Sequence, residues 1–358
     1  MNTKRKTLKM PVRYLMNLVL VGLLFVGLSY VTGNMLSTYQ NKVLLTVGIN
    51  IILAVSLNVA TGYLGQLPLG HAGFMAVGAY TCALFTKYSN LPSGVAFVVG
   101  LVLACIVAGL FGVLVGIPVL RLSGDYLAIV TLAFGEIVKN VMNACYLGLD
   151  SHGLHFSLKD TASLNMEVDG KVLINGAMGI TGIKKASTFA VGIVLVIITL
   201  LVILNLVNSR AGRAIKAIRD NEIAARSVGI PITKYKLMAF VTSAVFAGIA
   251  GVLYALNYSS LVAKKFDYNT SILILVFVVL GGIGNLRGSV IAAAVLTVLP
   301  ELLRSMNDYR MLIYAIVLIV VMIFNQSPEM IALRKRLTAR FRKEGADKKD
   351  AKEKKGVA

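Results

Sequence analysis

Charge is scarce in this sequence. Only 15% of its 358 residues are Asp, Glu, Lys or Arg, and only 16 are acidic. A soluble domain carries roughly a quarter of its residues as charge, so one or two soluble domains of this size are excluded. Tryptophan is absent, while 57% of the residues are AVILMFWYC and the mean hydropathy is +0.79. A chain of that composition is an integral membrane protein.

Other shortages narrow the function. The three cysteines, Cys82, Cys105 and Cys145, are odd in number and fall in or beside apolar stretches, which gives neither a disulfide framework nor a zinc site. The three histidines are His71, His152 and His155; the last two share a polar stretch remote from the first, and no metal site is expected. The phosphate loop G-x-x-x-x-G-K-[ST], the H-E-x-x-H pair and the G-x-S-x-G elbow are all missing. The chain therefore reads as no enzyme: it does not hydrolyse ATP by a Walker mechanism and is no membrane protease or esterase. Its net charge of +20 would suit nucleic acid, but no basic-aromatic module accompanies it, so the positive charge belongs beside a lipid bilayer and no nucleic-acid partner is expected.

Long charge-free runs are present instead. About twenty apolar residues cross the hydrocarbon core as a helix, and the runs predict ten spans at residues 14–32, 43–60, 68–86, 95–117, 125–147, 188–208, 237–256, 270–284, 289–303 and 310–325. The fold class is thus an all-α polytopic membrane protein of about ten helices, some short or broken. The basic start followed by an apolar run resembles a signal peptide, but no small-residue cleavage site closes it, so an uncleaved first span is expected. With the N-terminus inside, 25 of the 36 Lys and Arg residues fall on the inner side, placing both termini in the cytoplasm. The resulting plan is a basic cytoplasmic start (1–13), a transmembrane domain (14–325) with an external loop (148–187) and a cytoplasmic loop (209–236), and a basic, disordered tail (326–358).

Four segments carry chemistry. Between Asn58 and Phe85, the glycines Gly65 and Gly70 stand with Gln66 and His71 in a run that also holds Gly62, Gly73 and Gly78. Glycines let backbones approach closely, and Gln66 and His71 are costly in lipid unless they face protein or water; the cluster either lines a translocation path or packs helices. Glu136 and Lys139 lie three apart on one helix face and neutralise each other, as an inter-helix contact or as part of a proton relay. In Asn208–Phe240, Asp220 or Asn221 can cap a short helix with Glu222 in its first turn, Ala224 and Ala225 on a small-residue face, and Gly229 before Pro231 as the stop. Such a helix is a bracket at the headgroups or a rigid piece that seats in a partner's groove. Last, Val278–Val290 misses G-x-G-x-x-G, because Arg287 holds the third glycine's place and no βαβ unit surrounds it. It reads as a tight inter-helix turn anchored by Arg287.

Taken in order, GYLGQLPLGHAGFMAVGAY (62–80), LAIVTLAFGEI (127–137), the stretch 212–255 and VLGGIGNLRGSVIAAAVLTVLPELLR (279–304) resemble the permease subunits of branched-chain amino acid ABC importers, LivM-like ones in particular. E-x-A-A-x-x-x-G at Glu222, Ala224, Ala225 and Gly229 is similar to the loop by which such permeases engage their ATPase, and G-Q-x-x-x-G-H at Gly65, Gln66, Gly70 and His71 points to this subunit rather than its sister. Two departures stand out: Pro68 replaces an expected small polar residue, and residues 147–177 form a longer stretch than usual. The resemblance implies alternating access in the cell membrane with ABC ATPase subunits, a second related permease and an external substrate-binding protein. ATP would be bound by the partners, with no cofactor in this chain. A carrier driven by an ion gradient, with Glu136 and His71 as its ion site, is the alternative from another class.

Overall fold

A backbone in lipid must satisfy every N–H and C=O within its own segment, so long apolar runs fold as helices. The computed structural model describes residues 37–89, 91–120, 125–150, 152–165, 170–183, 187–304 and 309–326. The expected first span at 14–32, the basic start and the tail from 327 lie outside the described residues. Among those described, eleven α-helices form: α1 (Thr38–Asn58), α2 (His71–Tyr88), α3 (Ser93–Val119), α4 (Asp125–Ala144), α5 (Phe189–Asn208), α6 (Arg210–Asp220), α7 (Glu222–Ser227), α8 (Ile232–Asn257), α9 (Tyr268–Gly281), α10 (Leu286–Leu302) and α11 (Arg310–Gln326). Nine of these occupy the nine remaining expected spans, each end within about five residues, the usual error of a boundary read from sequence. Five, namely α1 with its continuation to Tyr63, α3, α4, α5 and α8, are long and apolar enough to cross a membrane. By contrast α9 has only 14 residues, a rise of about 21 Å.

The helix starts are written in local chemistry. Ser37 and Gln40 make a reciprocal capping box at α1, and Thr188, Ser209, Asn221 and Asp267 each cap the next helix by accepting a backbone N–H. These side chains occupy donors that a helix start otherwise leaves unpaired.

The expectation of an all-α chain needs one correction. The stretch after α4 folds into an antiparallel sheet in the order β2-β1-β3, with β1 (Tyr146–Asp150), β2 (Gly153–Ser157) and β3 (Lys171–Asn175), and a second pair joins β4 (Ile180–Thr181) to β5 (Ser260–Leu261). Asp150 closes the β1–β2 turn by accepting from the backbone of His152 (2.8 Å) and Gly153 (3.1 Å), and β2 then alternates its exposed Leu154 and Phe156 with less exposed neighbours. That period of two belongs to strands.

Contacts divide the described residues into two units after Val298. In the first, α2 packs on α8, α3 and α4, and α1 packs on α8 and α5. Gly78 and Gly248 let α2 and α8 meet backbone to backbone, since a Cβ on either would collide with the other helix or with α3; small residues serve the same end in membrane bundles generally. Phe74 and Phe240 fill the space beside that crossing, edge to face at 5.6 Å. Most of α1 and α8 is buried, whereas α3, α4 and α5 bury one side and turn Val98, Val102, Ile106, Leu110, Ile129 and Leu201 outward, as lipid-facing helices do. The second unit holds the end of α10, where Arg304 pairs with Glu301 at 3.7 Å, and α11.

Within the first unit the helices share two ends. One carries the sheet, and Lys87 at the end of α2 donates there to the Val172 and Leu173 carbonyls of β3 (2.8 and 3.2 Å). The other carries α6, α7 and the turns at 59–70 and 282–285.

Candidate translocation path and coupling segment

Helix α1 does not stop cleanly. After Asn58 it widens into a π-helical turn, Val59–Tyr63, and the chain then runs irregularly to Gly70 before α2 begins. Such widened turns recur where a helix is interrupted for function. Gly65 has φ +80°, a region an L side chain rarely adopts, and a Cβ on Gly70 would collide with the Thr131 carbonyl of α4. Here both glycines are demanded by geometry. On the same stretch, Thr61 Oγ1 and Gln66 Oε1 are buried and make no hydrogen bond within the described residues. A buried polar atom left so costs about 1–3 kcal/mol, and lining a path for a polar solute gives it a use.

His71 sits next to that stretch, 2% exposed. Its Nε2 lies 3.0 Å from Ser56 Oγ, while Ser56 Oγ also lies 3.0 Å from the Leu53 carbonyl. A carbonyl can only accept, so the one hydroxyl proton goes to Leu53 and His71 Nε2 carries the hydrogen that it donates to Ser56, a tautomer assigned from the network. His71 thereby ties the start of α2 to α1, and Ser243 of α8 joins them by donating to the Ser56 carbonyl (2.8 Å).

Glu136 and Lys139 form the expected ion pair on α4. The second carboxylate oxygen of Glu136 accepts from the backbone N–H of Tyr268 (3.2 Å), while Ser271 Oγ accepts from the Ala72 N–H (3.0 Å). The starts of α2 and α9 and the middle of α4 are thus joined by polar contacts. Asp267, just before α9, has its carboxyl held below its ordinary range: burial pushes it up, but hydrogen bonds from the backbone and hydroxyl of Thr270 and from Asn269, with the charge of Lys139, outweigh that.

Between α6 and α8, Asn221 Oδ1 accepts from Ala224 N–H (3.0 Å) to start α7. Gly229 at φ +80° ends it, with Ile230 N–H bonded to Ala225 O (3.1 Å) and Gly229 N–H to Arg226 O (3.0 Å). That paired closure is the Schellman stop, which needs a left-handed residue at this place. Glu222 accepts from Lys236 of α8 (2.7 Å) and from Arg226 (3.3 Å). Ala225 is buried, whereas Ala224 is exposed beside Ile223 (80%) and Val228 (75%). The small-residue face expected from Ala224 and Ala225 is therefore split between an inward anchor and an outward apolar patch.

Comparisons with known proteins bear on this arrangement. The family described as branched-chain amino acid transport system / permease component matches residues 39–322. The chain belongs to that family. It is 38% identical over 285 residues to the high-affinity branched-chain amino acid transport system permease protein LivM of Salmonella typhimurium and 37% identical to that of Escherichia coli, each match covering 77% of this chain and 66% of the relative. A probable LivM of Methanocaldococcus jannaschii is 26% identical over 281 residues, covering 69% of this chain and 76% of that one. Among solved structures, PsaBC from Streptococcus pneumoniae in complex with Fab covers 87% of this chain and 98% of its own at 13% identity and a TM-score of 0.44, a likeness too low to carry an argument. As a member of a permease-component family with several apolar helices, this is a multi-pass membrane protein, and its match spans just under two thirds of the length of the Salmonella and Escherichia relatives.

Two features of this permease escape sequence reasoning. Arg210, Arg213, Lys216 and Arg219 belong to a helix of their own, α6, with Ile215 and Ile218 buried and Ser209 as cap; the i, i+3 spacing of the two isoleucines after a serine is the available signal. And Arg287, expected to anchor the turn after α9, is exposed on α10. Arg219 of α6 lies beside the same turn, its Nη1 near Gly284 and its guanidinium bonded to the Gly62 carbonyl.

Proposed function

We propose that this chain is the transmembrane subunit of an ATP-binding-cassette importer that moves branched-chain amino acids, or a related small polar solute, into the cell by alternating access. The observation that carries the proposal is α7: a six-residue helix stopped by Gly229, anchored inward by Ala225 and Glu222, and presenting Ile223, Ala224 and Val228 outward. A short rigid helix with an apolar outer face and an ionic tie to a long helix suits seating in a partner's groove and being pushed as a body. In this reading two ATPase subunits bind and hydrolyse ATP, and this chain needs no cofactor. A second related permease completes the pathway, and an external binding protein delivers the solute at the sheet end. Ten spans in the cell membrane, with both termini and the 209–236 loop in the cytoplasm and the 148–187 loop outside, follow from the positive-inside rule. Thr61 and Gln66 then line the path near its inner end, and Gly65, Gly70 and His71 hold its wall. Against an ion-driven carrier stands the engagement of Glu136 by Lys139 and Tyr268, which leaves it a poor ion site.

The test is to purify the tagged chain from native membranes in mild detergent, identify what accompanies it, and measure uptake in proteoliposomes. A Walker-motif ATPase and a second permease should copurify. Gly229→Ala, which strains the left-handed position by about 1–2 kcal/mol, and Glu222→Ala should lower ATP-driven uptake while membrane insertion stays intact. Recovery of the chain alone from membranes that still take up leucine would overturn the proposal in favour of the gradient-driven carrier.

A further inference from the structure

Arg219 stands near the end of α6, two residues before the Asn221 that caps α7. It reaches back into the bundle at the point where two helices are interrupted. The guanidinium donates to the Gly62 carbonyl in the π-helical turn after α1. The aliphatic stem lies on Gly65, where a Cβ would meet Arg219 Cγ at 3.0 Å, and Nη1 would lie 3.2 Å from a Cβ on Gly284, in the turn between α9 and α10. Those two turns are themselves joined, because Asn58 Oδ1 accepts from Gly284 N–H (2.9 Å) and Asn58 Nδ2 donates to Ser289 Oγ (2.8 Å). One turn earlier on α6, Lys216 Nζ sits 5.4 Å from the Tyr63 ring centroid, a second grip on the same stretch.

The hold has a particular character. Among the described residues no carboxylate pairs with Arg219, and its side chain stands at the water-accessible rim. An arginine donating to a peptide carbonyl there is positioned by its planar fork, and its charge strengthens the single bond that it makes to the buried Gly62. Glu222, three residues on, is by contrast tied to Lys236 of α8 by an ion pair. The α6–α7 element is thus bonded to α8 by charge and to the α1–α2 interruption by Arg219, which also lies against Gly284 of the α9–α10 turn.

We infer that Arg219 is the positioning residue that carries a displacement of α6–α7 into the α1–α2 and α9–α10 breaks together, so that the inner end of the path opens and closes as one unit. The inference rests on the reading that a partner ATPase moves α7. A shift of α6 draws on Gly62 and Gly65 directly and reaches Gly284 through Arg219 and Asn58. Both turns are interruptions of the helical ladder, where a bend disturbs fewest hydrogen bonds.

The experiment uses the intact assembly in proteoliposomes with labelled leucine as probe, and reads leucine taken up per ATP hydrolysed. Arg219→Ala should lower that ratio about fivefold or more, the scale of a lost coupling between sites, with ATPase copurification and basal hydrolysis kept. Arg219→Lys, which retains the charge, should restore part of the ratio. Arg213→Ala removes an exposed α6 arginine that reaches only the Asn208 carbonyl and should leave the ratio unchanged. In combination, Arg219→Ala and Asn58→Ala should cost less than the product of their separate effects, because both act on one junction. A wild-type ratio in Arg219→Ala, or an equal loss in Arg213→Ala, overturns the inference while the importer reading stands. Should the substitution prevent assembly, Arg219→Gln gives the same two outcomes with a gentler change. Leucine uptake that needs no ATP in the wild-type assembly would instead remove the importer reading, and this inference with it.

Discussion

The two ends of the bundle are held by different means. At the sheet end β1 pairs with both neighbours along its length, β4 pairs with β5, and Lys87 bonds two β3 carbonyls. These are backbone ladders, many bonds that form or break together. At the α7 end, side-chain contacts hold the turns: Arg219 to Gly62, Asn58 to Gly284, Glu222 to Lys236 and Lys216 over Tyr63. The contrast teaches where each end can move. A ladder resists local change because its bonds are shared, whereas each contact at the α7 end is a single side-chain bond that can be lost by itself. If the chain works by the proposed alternating access, the α7 end is where these contacts leave room for movement.

Three changes test that contrast, in falling order of effect. Gly62→Ala would set a methyl group against Asn58 Oδ1 and the Gly284 backbone. Overpacking of this kind costs about 1–3 kcal/mol, so uptake should fall about tenfold, measured as ATP-driven transport by the reconstituted assembly. Normal transport would mean that the junction is looser than these contacts imply. Next, Lys87→Met keeps the length of the side chain but deletes both donors to β3, and should lower stability by about 1–2 kcal/mol. The thermal midpoint and protease clipping of residues 146–181 would report it, while leucine transported per ATP stays constant; a changed ratio would erase the distinction between the two ends. The smallest effect concerns pH. The Asp267 carboxyl titrates below its ordinary value in the folded chain, so its cap on α9 contributes in full above the ordinary carboxylate range and is lost as pH falls through the lowered folded value. Acid should therefore lower the thermal midpoint slightly more in the wild type than in Asp267→Asn. Equal acid sensitivity of the two would show that this cap adds nothing to stability.

Much of the chain is legible in its residues alone. The nine runs expected as spans within the described residues are helices, and in the five that are long and apolar enough to cross a membrane the backbone has no other means of satisfying itself in lipid. The pairing of Glu136 with Lys139, the cap at Asn221 and the stop at Gly229 are legible too, since each depends on residues three to eight apart. The strands after α4 are harder to see although Asp150, Gly153 and a period-two pattern mark them, because a connection between spans is dominated by its charge. Arg219 is hidden for a different reason. It reads as one more positive charge in a basic loop, and nothing near it in sequence names Gly62 or Gly284 as partners.

Composition, hydropathy and local spacing therefore determined that this is a membrane protein, where its helices run, and that a short capped helix stands between α6 and α8, while the resemblance of its motifs named the permease family. All of these are set by interactions within a few turns of chain or by the demand of the bilayer on each segment separately. Only the tertiary structure decided that His71 donates to Ser56, that Ala225 faces inward while Ile223 and Val228 face out, and that Arg219 bonds the Gly62 carbonyl while lying against Gly284. Such contacts join residues 15 to 157 positions apart, and they exist only once packing has brought separate helices to within hydrogen-bonding distance.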